Sequence, residues 1–385
     1  MTREIKVQGT VAAGYEAVRE EFGALLAGER PDHASQLSAH VRGKQVVDLW
    51  VGPDTDGDTL FGVYSSTKGA AYLTVALLVQ DGTLELDREV AHYWPEFAAE
   101  GKADITLREL LSHRAGVVGA DGGFTPEEVA DDRAVAARAA AQRPYWRPGT
   151  AFGYHALTIG AMAGEVVLRA TGRTLQETYE ELVRAPYGLD FYLGLPEALE
   201  PRFRSVLPMM PSPTERAILD AEPPQPGSLN SIAFNRNGAQ PTDLESLPNS
   251  RTVRAKGPAS VGGVASARGL ARMYAAAVTG LDGREPLLKA DTVAEFGQIH
   301  SHGYDLVARA HKAFGVGFQS VADAWYPYLG AGSIGHKGVG GSQAFADPRS
   351  GLAYGYTRRR FAFPSGSVPE DDRLVRAIHT AAVTG

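Results

Sequence analysis

Apolar positions along this chain fall into two periods. Residues 12–27, 157–171, 175–183 and 266–278 carry them at helical spacing, and residues 371–383 close the chain with a further helical pattern. Leu37 to Val51 reads instead as two strand-like runs around Arg42-Gly43-Lys44, a hairpin signal. Leu60-Phe61-Gly62-Val63-Tyr64 is another strand-like run, followed by Gly69 to Val79, apolar enough for a buried helix that ends near Asp81-Gly82-Thr83. Leu84 to Phe97 reads as loop and short helix, and Thr106 to His113 as a helical turn or two stopped by Gly116. Pro148-Gly149-Thr150 is a turn, and Gly172 is placed to cap the helix before it. Late in the chain, Phe314-Gly315-Val316-Gly317-Phe318 and Leu352 to Thr357 are strand-like, and Gly335 to Ala346 is rich in glycine. Residues 207–256 hold proline, polar residues and short apolar pieces only, and are expected to be an irregular functional segment.

Strands, a long helical middle, then strands and a last helix predict an α+β fold. An antiparallel sheet would be assembled from both chain ends, residues 1–75 and 290–385, with a mainly helical region, 76–289, inserted between them. The loop 207–256 is expected near the cleft the two parts share, a usual place for a small-molecule site. No repeat of solenoid length is present.

Composition narrows the function. The chain has 385 residues, 44% hydrophobic, enough for a large core, and a net charge of -7, which offers no electrostatic footprint for nucleic acid or an anionic membrane. The basic run Arg358-Arg359-Arg360 is expected to be a solvated strand end. With no cysteine, disulfides, thiol catalysis and cysteine-held zinc are excluded. Met1 to Lys6 lacks the apolar region of a signal peptide, so a complete gene product of this sequence is expected to be soluble and cytoplasmic. No histidine or carboxylate cluster stands at ligand spacing, and neither a metal nor a cofactor is expected.

Candidate chemistry concentrates at Ser65-Ser66-Thr67-Lys68, where a lysine stands three residues after a serine for the one time in the chain. On a helix entrance that spacing brings an amine and a hydroxyl to one face, and sets the serine N–H at the positive end of the helix dipole. The same four residues would also serve as a helix N-cap followed by a solvated lysine. Tyr154, in Phe152-Gly153-Tyr154-His155-Ala156, is either an aromatic packed before a helix or, beside an ammonium, a proton relay. His336-Lys337-Gly338-Val339-Gly340-Gly341-Ser342 is either a glycine-rich turn or a place where bare backbone N–H groups approach a ligand. Ser342 lies in Gly340-Gly341-Ser342-Gln343-Ala344, which misses the nucleophile-elbow pattern at its last residue.

In this order the three motifs resemble those of the serine β-lactamase and penicillin-binding-protein superfamily, with class C β-lactamases and family VIII carboxylesterases most similar in pattern. Leu107 to His113, Tyr145 to Thr150 and Phe314 to Phe318 add to the likeness, which spans about residues 15–380. The resemblance implies a β-lactamase/transpeptidase-like fold. It implies Ser65 as nucleophile, Lys68 and Tyr154 as its proton-handling partners, and the N–H groups of Ser65 and Val339 as oxyanion hole. His336, Gly338, Tyr64, Phe152 and Trp325 are expected around the substrate, with segment 207–256 setting acyl-pocket size, while His113 and His155 are expected to be structural or cleft-lining.

Two departures carry information. Ala156 stands where the family pattern has an asparagine, and His336 where it has a lysine. Lys337 is next in sequence, but a one-residue step on a strand is expected to point it to the other face. Both changes weaken recognition of an anionic lactam. The expected activity is a carboxylesterase acting on short-to-medium acyl esters through a Ser65 acyl-enzyme, with small-molecule esters as its partners. A β-lactamase, a D-amino-acid peptidase, a peptide-cyclising acyltransferase and a non-catalytic binding module are the alternatives.

Overall fold

The structure, a computed structural model, describes residues 6–27, 29–30, 32–221, 225–363 and 369–384. Residues 1–5, on which the reading of the N-terminus rests, lie outside the described residues.

The strands in chain order are β1 (Gln8–Val11), β2 (Ser35–Val41), β3 (Lys44–Val51), β4 (Phe61–Gly62), β5 (Phe191–Tyr192), β6 (Val264–Ala265), β7 (Ser301–Asp305), β8 (Ala310–Phe314), β9 (Gln319–Ser320), β10 (Ile334–Lys337), β11 (Gln343–Asp347) and β12 (Leu352–Arg358). Nine form one sheet, ordered β1-β3-β2-β12-β11-β10-β9-β8-β7, and β4-β6-β5 form a small second sheet. Every neighbouring pair is antiparallel. The large sheet therefore joins the two chain ends through β2 and β12. At the β2–β3 hairpin Arg42 and Gly43 both take positive φ, 49° and 76°, the twist-matching geometry of a two-residue turn.

Side-chain alternation separates two cores. Phe345, Leu352, Tyr354 and Tyr356 face the helices Glu16–Leu26 and Pro369–Thr384, packing with Phe22, Leu374 and Ile378. Ala344, Ala346 and Ala353 face the other way, against Leu270 and Met273 of the helix Ala267–Val278 and the large core around the helix Thr67–Gln80. That central helix has buried residues on nearly every side, which explains why its sequence is apolar without a polar face. The small alanines on the inner sheet face let it approach.

Three expectations are corrected. Phe314 to Phe318 is not a strand: β8 ends at Phe314 and the chain folds tightly before β9, with Gly315 N–H donating to Phe318 O at 2.8 Å and Gly317 at φ 84°. A side chain at Gly317 would sit 2.5 Å from the Tyr72 ring, so glycine is there for close approach to the central helix. Residues 207–256 are not irregular throughout; they form the helices Pro213–Ala221, Leu229–Ala233 and Arg251–Lys256, whose shortness hid their periodicity. The arginine run is largely buried rather than solvated. Arg358 pairs with Glu29 at 3.0 Å and Arg360 with Asp32 at 2.5 Å. Among the described residues no helix is long and apolar enough to cross a membrane.

Candidate active site

Ser65 sits in a single 3-10 turn, Tyr64–Ser66, that runs into the helix Thr67–Gln80. Tyr64 before it has φ 48°, a conformation that costs a bulky residue energy and that the surroundings must hold in place. The hold is visible. Tyr64 packs edge-on to Phe361 at 5.5 Å between ring centres and donates to the carbonyl of Glu245 at 3.1 Å. Gly338 and Gly340 lie directly against it, where a Cβ would come within 3.2 Å of Tyr64 Cβ and 2.3 Å of its ring respectively. Ser342 Oγ donates to Val63 O at 2.6 Å and meets Ser66 Oγ at 3.0 Å, and Ser66 Oγ also reaches the His336 carbonyl at 3.2 Å. These contacts tie the β10–β11 connection to the Ser65 turn. Ser342 is thus a buried strut.

One helical turn on, Lys68 Nζ lies 3.2 Å from Ser65 Oγ. It donates to the carbonyls of Ala156 and Ser260 at 2.7 and 2.8 Å. Burial holds its pKa well below the ordinary lysine value, with the Asp132 charge pulling modestly the other way. A neutral amine has two N–H bonds and one lone pair. The two carbonyls take both N–H groups, which leaves the lone pair facing the serine hydroxyl.

The Ser260 carbonyl is positioned by groups that no sequence motif marks. Gly160 allows the 259–260 backbone to come close, since a Cβ there would lie 2.4 Å from Ser260 N, and its own N–H donates to Ser260 Oγ at 2.7 Å. Asp132 accepts the Ala259 N–H at 2.9 Å and Gln176 Nε2 at 2.8 Å, with burial pushing its carboxyl up to about 6. Gly160, one of two glycines in the helix Ile159–Thr171, is the sole sequence signal.

Tyr154 lies across Lys68, whose Nζ is 5.0 Å from the ring centre. Its ring stacks on Phe314 at 6.0 Å and meets His113 at 5.2 Å and His336 at 5.8 Å. Its N–H donates to Asp305 at 3.1 Å. The hydroxyl is buried beside Ser65 without a well-formed hydrogen bond; burial raises its pKa, and the proximity of the Ser65 hydroxyl acts against this. His336 Nδ1 pairs with the Lys337 carbonyl at 2.8 Å, while its Nε2 is a second buried atom without a partner. Burial holds the pKa of this imidazole well below its ordinary value, which favours the neutral ring. The Tyr154 hydroxyl, buried beside the serine, is an unpartnered polar atom of the kind a substrate or water would satisfy.

The N–H groups of Ser65 and Val339 are free of backbone acceptors among the described residues and flank the same cleft. That cleft, about 270 Å³, is lined by Ser65, Tyr154, Phe234, Phe314, Trp325 and Val339 together with polar residues. Of the expected substrate contacts, Trp325 lines it. Tyr64, Gly338 and Phe152 do not: Tyr64 and Gly338 form the scaffold beneath the serine, and Phe152 packs behind Phe314 at 6.3 Å. His336 lies behind Tyr154. Lys337 points to the opposite face from His336, as its one-residue step predicts, with its ammonium over Trp325 at 4.4 Å and Tyr326 at 5.2 Å, and it also borders the cleft. His113 and His155 are buried in a structural relay. His155 N–H donates to His113 Nδ1 at 3.1 Å, and His155 Nε2 accepts from Val117 at 3.1 Å.

With this geometry established, comparison with known proteins fixes the family. The family model described as Beta-lactamase matches residues 35–378. The chain belongs to the beta-lactamase family. Within that family, the fold of EstA from Arthrobacter nitroguajacolicus Rue61a superimposes with a TM-score of 0.90 at 42% identity, covering 98% of this chain and 99% of that one. A family VIII carboxylesterase follows at 0.86 and 31%, covering 98% and 100%. The esterase/beta-lactamase LipL of Mycobacterium tuberculosis is 27% identical over 93% of this chain and 84% of its own. The resemblance drawn from the three motifs, and the antiparallel sheet flanked by helices that it implied, are those of this family.

Proposed function

We propose that this beta-lactamase-family hydrolase cleaves short-to-medium acyl carboxylic esters through an acyl-enzyme on Ser65. The observation that carries the reading is the buried Lys68 amine, with both N–H directions spent on carbonyls and its remaining position on Ser65 Oγ at 3.2 Å. In the first step Lys68 or Tyr154 takes the hydroxyl proton as Oγ attacks the ester carbonyl. The Ser65 and Val339 N–H groups hold the tetrahedral oxyanion. The C–O bond then breaks and the alcohol leaves with a proton passed through Tyr154. In the second step water attacks the acyl-enzyme along the same path in reverse, releasing the acid and restoring Ser65.

Ester rather than lactam specificity is supported by what flanks the nucleophile. Ala156 supplies only its backbone carbonyl, to Lys68, and has no amide side chain to hold an acylamino group. His336 is neutral where the family pattern has a cation. The esterase names among the relatives point the same way. A lactamase is the second reading, kept by the lysine residues that line the cleft. Treatment with an alkyl fluorophosphonate followed by peptide mass mapping tests the nucleophile. One adduct on the Ser65 peptide, missing in Ser65→Ala, is expected; an adduct on a different residue refutes the assignment.

A further inference from the structure

Charge is distributed unevenly between the molecule and its cleft. The whole chain is acidic, with 45 carboxylate residues against 38 lysines and arginines. Among the described residues, no aspartate or glutamate lines the cleft that holds Ser65, yet Lys312 and Lys337 both line it, beside Gln319, Asn230 and Trp325.

Neither lysine makes an ion pair among the described residues. The one lysine–carboxylate ion pair among the described residues joins Lys256 to Asp131, on the far side of the helical region. Lys337 is partly covered by the Trp325 and Tyr326 rings, which solvate a cation poorly compared with water. Its charged form is disfavoured first by burial; the Asp371 charge acts against this, the Lys312 charge adds to it, and Asp372 opposes it least. Each nearby acid also accepts hydrogen bonds elsewhere, although Asp305 does so through Oδ1 alone and still feels the Lys312 charge. Asp371 accepts from Tyr354 Oη at 3.2 Å, Asp372 pairs with Arg376 at 3.4 Å, and Asp305 takes the N–H groups of Tyr154, Val307 and Ala308. Two like charges at one half-enclosed cleft repel each other in the free protein, and an anion between them relieves that repulsion.

We propose that Lys312 and Lys337 form an anion subsite, so that the preferred ester carries a second, negatively charged group, a carboxylate, in addition to the bond that is cleaved. This rests on the esterase reading of Ser65. Lys312 enters from β8, next to the edge strand β7 of the large sheet and outside all three sequence motifs, which is why sequence alone favoured a neutral ester. The carboxylate would lie on the acyl part or on the alcohol part.

Two matched pairs of esters separate these cases. Mono-p-nitrophenyl glutarate against p-nitrophenyl butyrate places the anion on the acyl group. 4-Butyryloxybenzoate against phenyl butyrate places it on the leaving group. For each protein the anionic-to-neutral ratio of kcat/KM is measured, which cancels differences in the folded fraction. In at least one pair the ratio is expected to fall about tenfold in Lys312→Met and again in Lys337→Met, the size of one charge-assisted hydrogen bond each. The pair that responds identifies the part bearing the anion. Unchanged ratios in both pairs for the double variant overturn the subsite while leaving the esterase reading intact. Hydrolysis that persists in Ser65→Ala, or no hydrolysis of any of the four esters by the wild type, overturns both.

Discussion

Lys68 Nζ lies 3.2 Å from Ser65 Oγ, and no carboxylate pairs with it among the described residues. A lysine without a counter-ion in a buried position is driven toward the neutral amine, the form that accepts a proton. The two carbonyl acceptors then orient it. The ester kcat/KM is therefore expected to rise with pH along a limb that reports Lys68, well below the ordinary lysine range, and to level off above it. Lys68→Arg, which stays charged, should lower activity on the order of a thousandfold and erase that limb. A retained limb in the arginine variant would assign it to a different group.

Tyr154→Phe removes one buried hydroxyl that lacks a partner, and so costs the fold little. Its expected effect is kinetic: a loss of about a thousandfold in kcat, because the residues of such a set act together, with an unchanged melting temperature. Comparable losses of stability and activity would make Tyr154 a packing residue.

Gly338→Ala tests the scaffold. The added methyl would fall 2.3 Å from Ser342 Oγ and 2.5 Å from the Val63 carbonyl, the strut that sets the Ser65 turn against the Val339 N–H. Overpacking of this kind costs about 1–3 kcal/mol. The displaced N–H should lower kcat on the order of a hundredfold. Calorimetry together with turnover on a neutral ester checks both.

Buried imidazoles set the acid limit. Burial lowers the pKa of His33 to about 3 and those of His40 and His155 to about 4, and depresses those of His113 and His336 as well. In the unfolded chain these groups protonate near 6.5. As pH falls below 6.5 the unfolded state takes up protons that the folded state refuses, so stability present above that pH is lost on the way down toward 4. Asp132, raised to about 6, acts in the opposite sense, stabilising the fold as pH falls through its own range. The histidines outnumber it. Melting temperature is expected to drop steeply below pH 6; a flat curve down to pH 5 would contradict the neutral buried histidines.

Much of this was legible in the sequence where burial is strong and periodic. The helices at 67–80, 159–171 and 267–278 and the β2–β3 hairpin follow directly from their apolar spacing. Edge strands were not legible. β1 and β7 border the large sheet and are mostly polar and partly exposed, so no apolar run marks them. The helix Asp132–Ala141 is rich in alanine and has little amphipathic contrast. At the site, Ser65, Lys68 and Tyr154 belong to local motifs, and the fold brings the three together. Ser260, Gly160 and Asp132 act through one carbonyl and two backbone N–H groups, which leave no side-chain signature. Tyr64 was misplaced because residues adjacent to a nucleophile in sequence need not share its cleft: its positive φ turns the ring underneath. Lys337 and Lys312 meet the cleft only through the sheet register.

The most direct test of the central claim is turnover of p-nitrophenyl butyrate by wild type and Ser65→Ala, with a chromogenic cephalosporin run in parallel. Ester turnover that disappears in the variant, with lactam turnover far lower, is the predicted result. Cephalosporin turnover exceeding ester turnover, or ester turnover that survives Ser65→Ala, would contradict it.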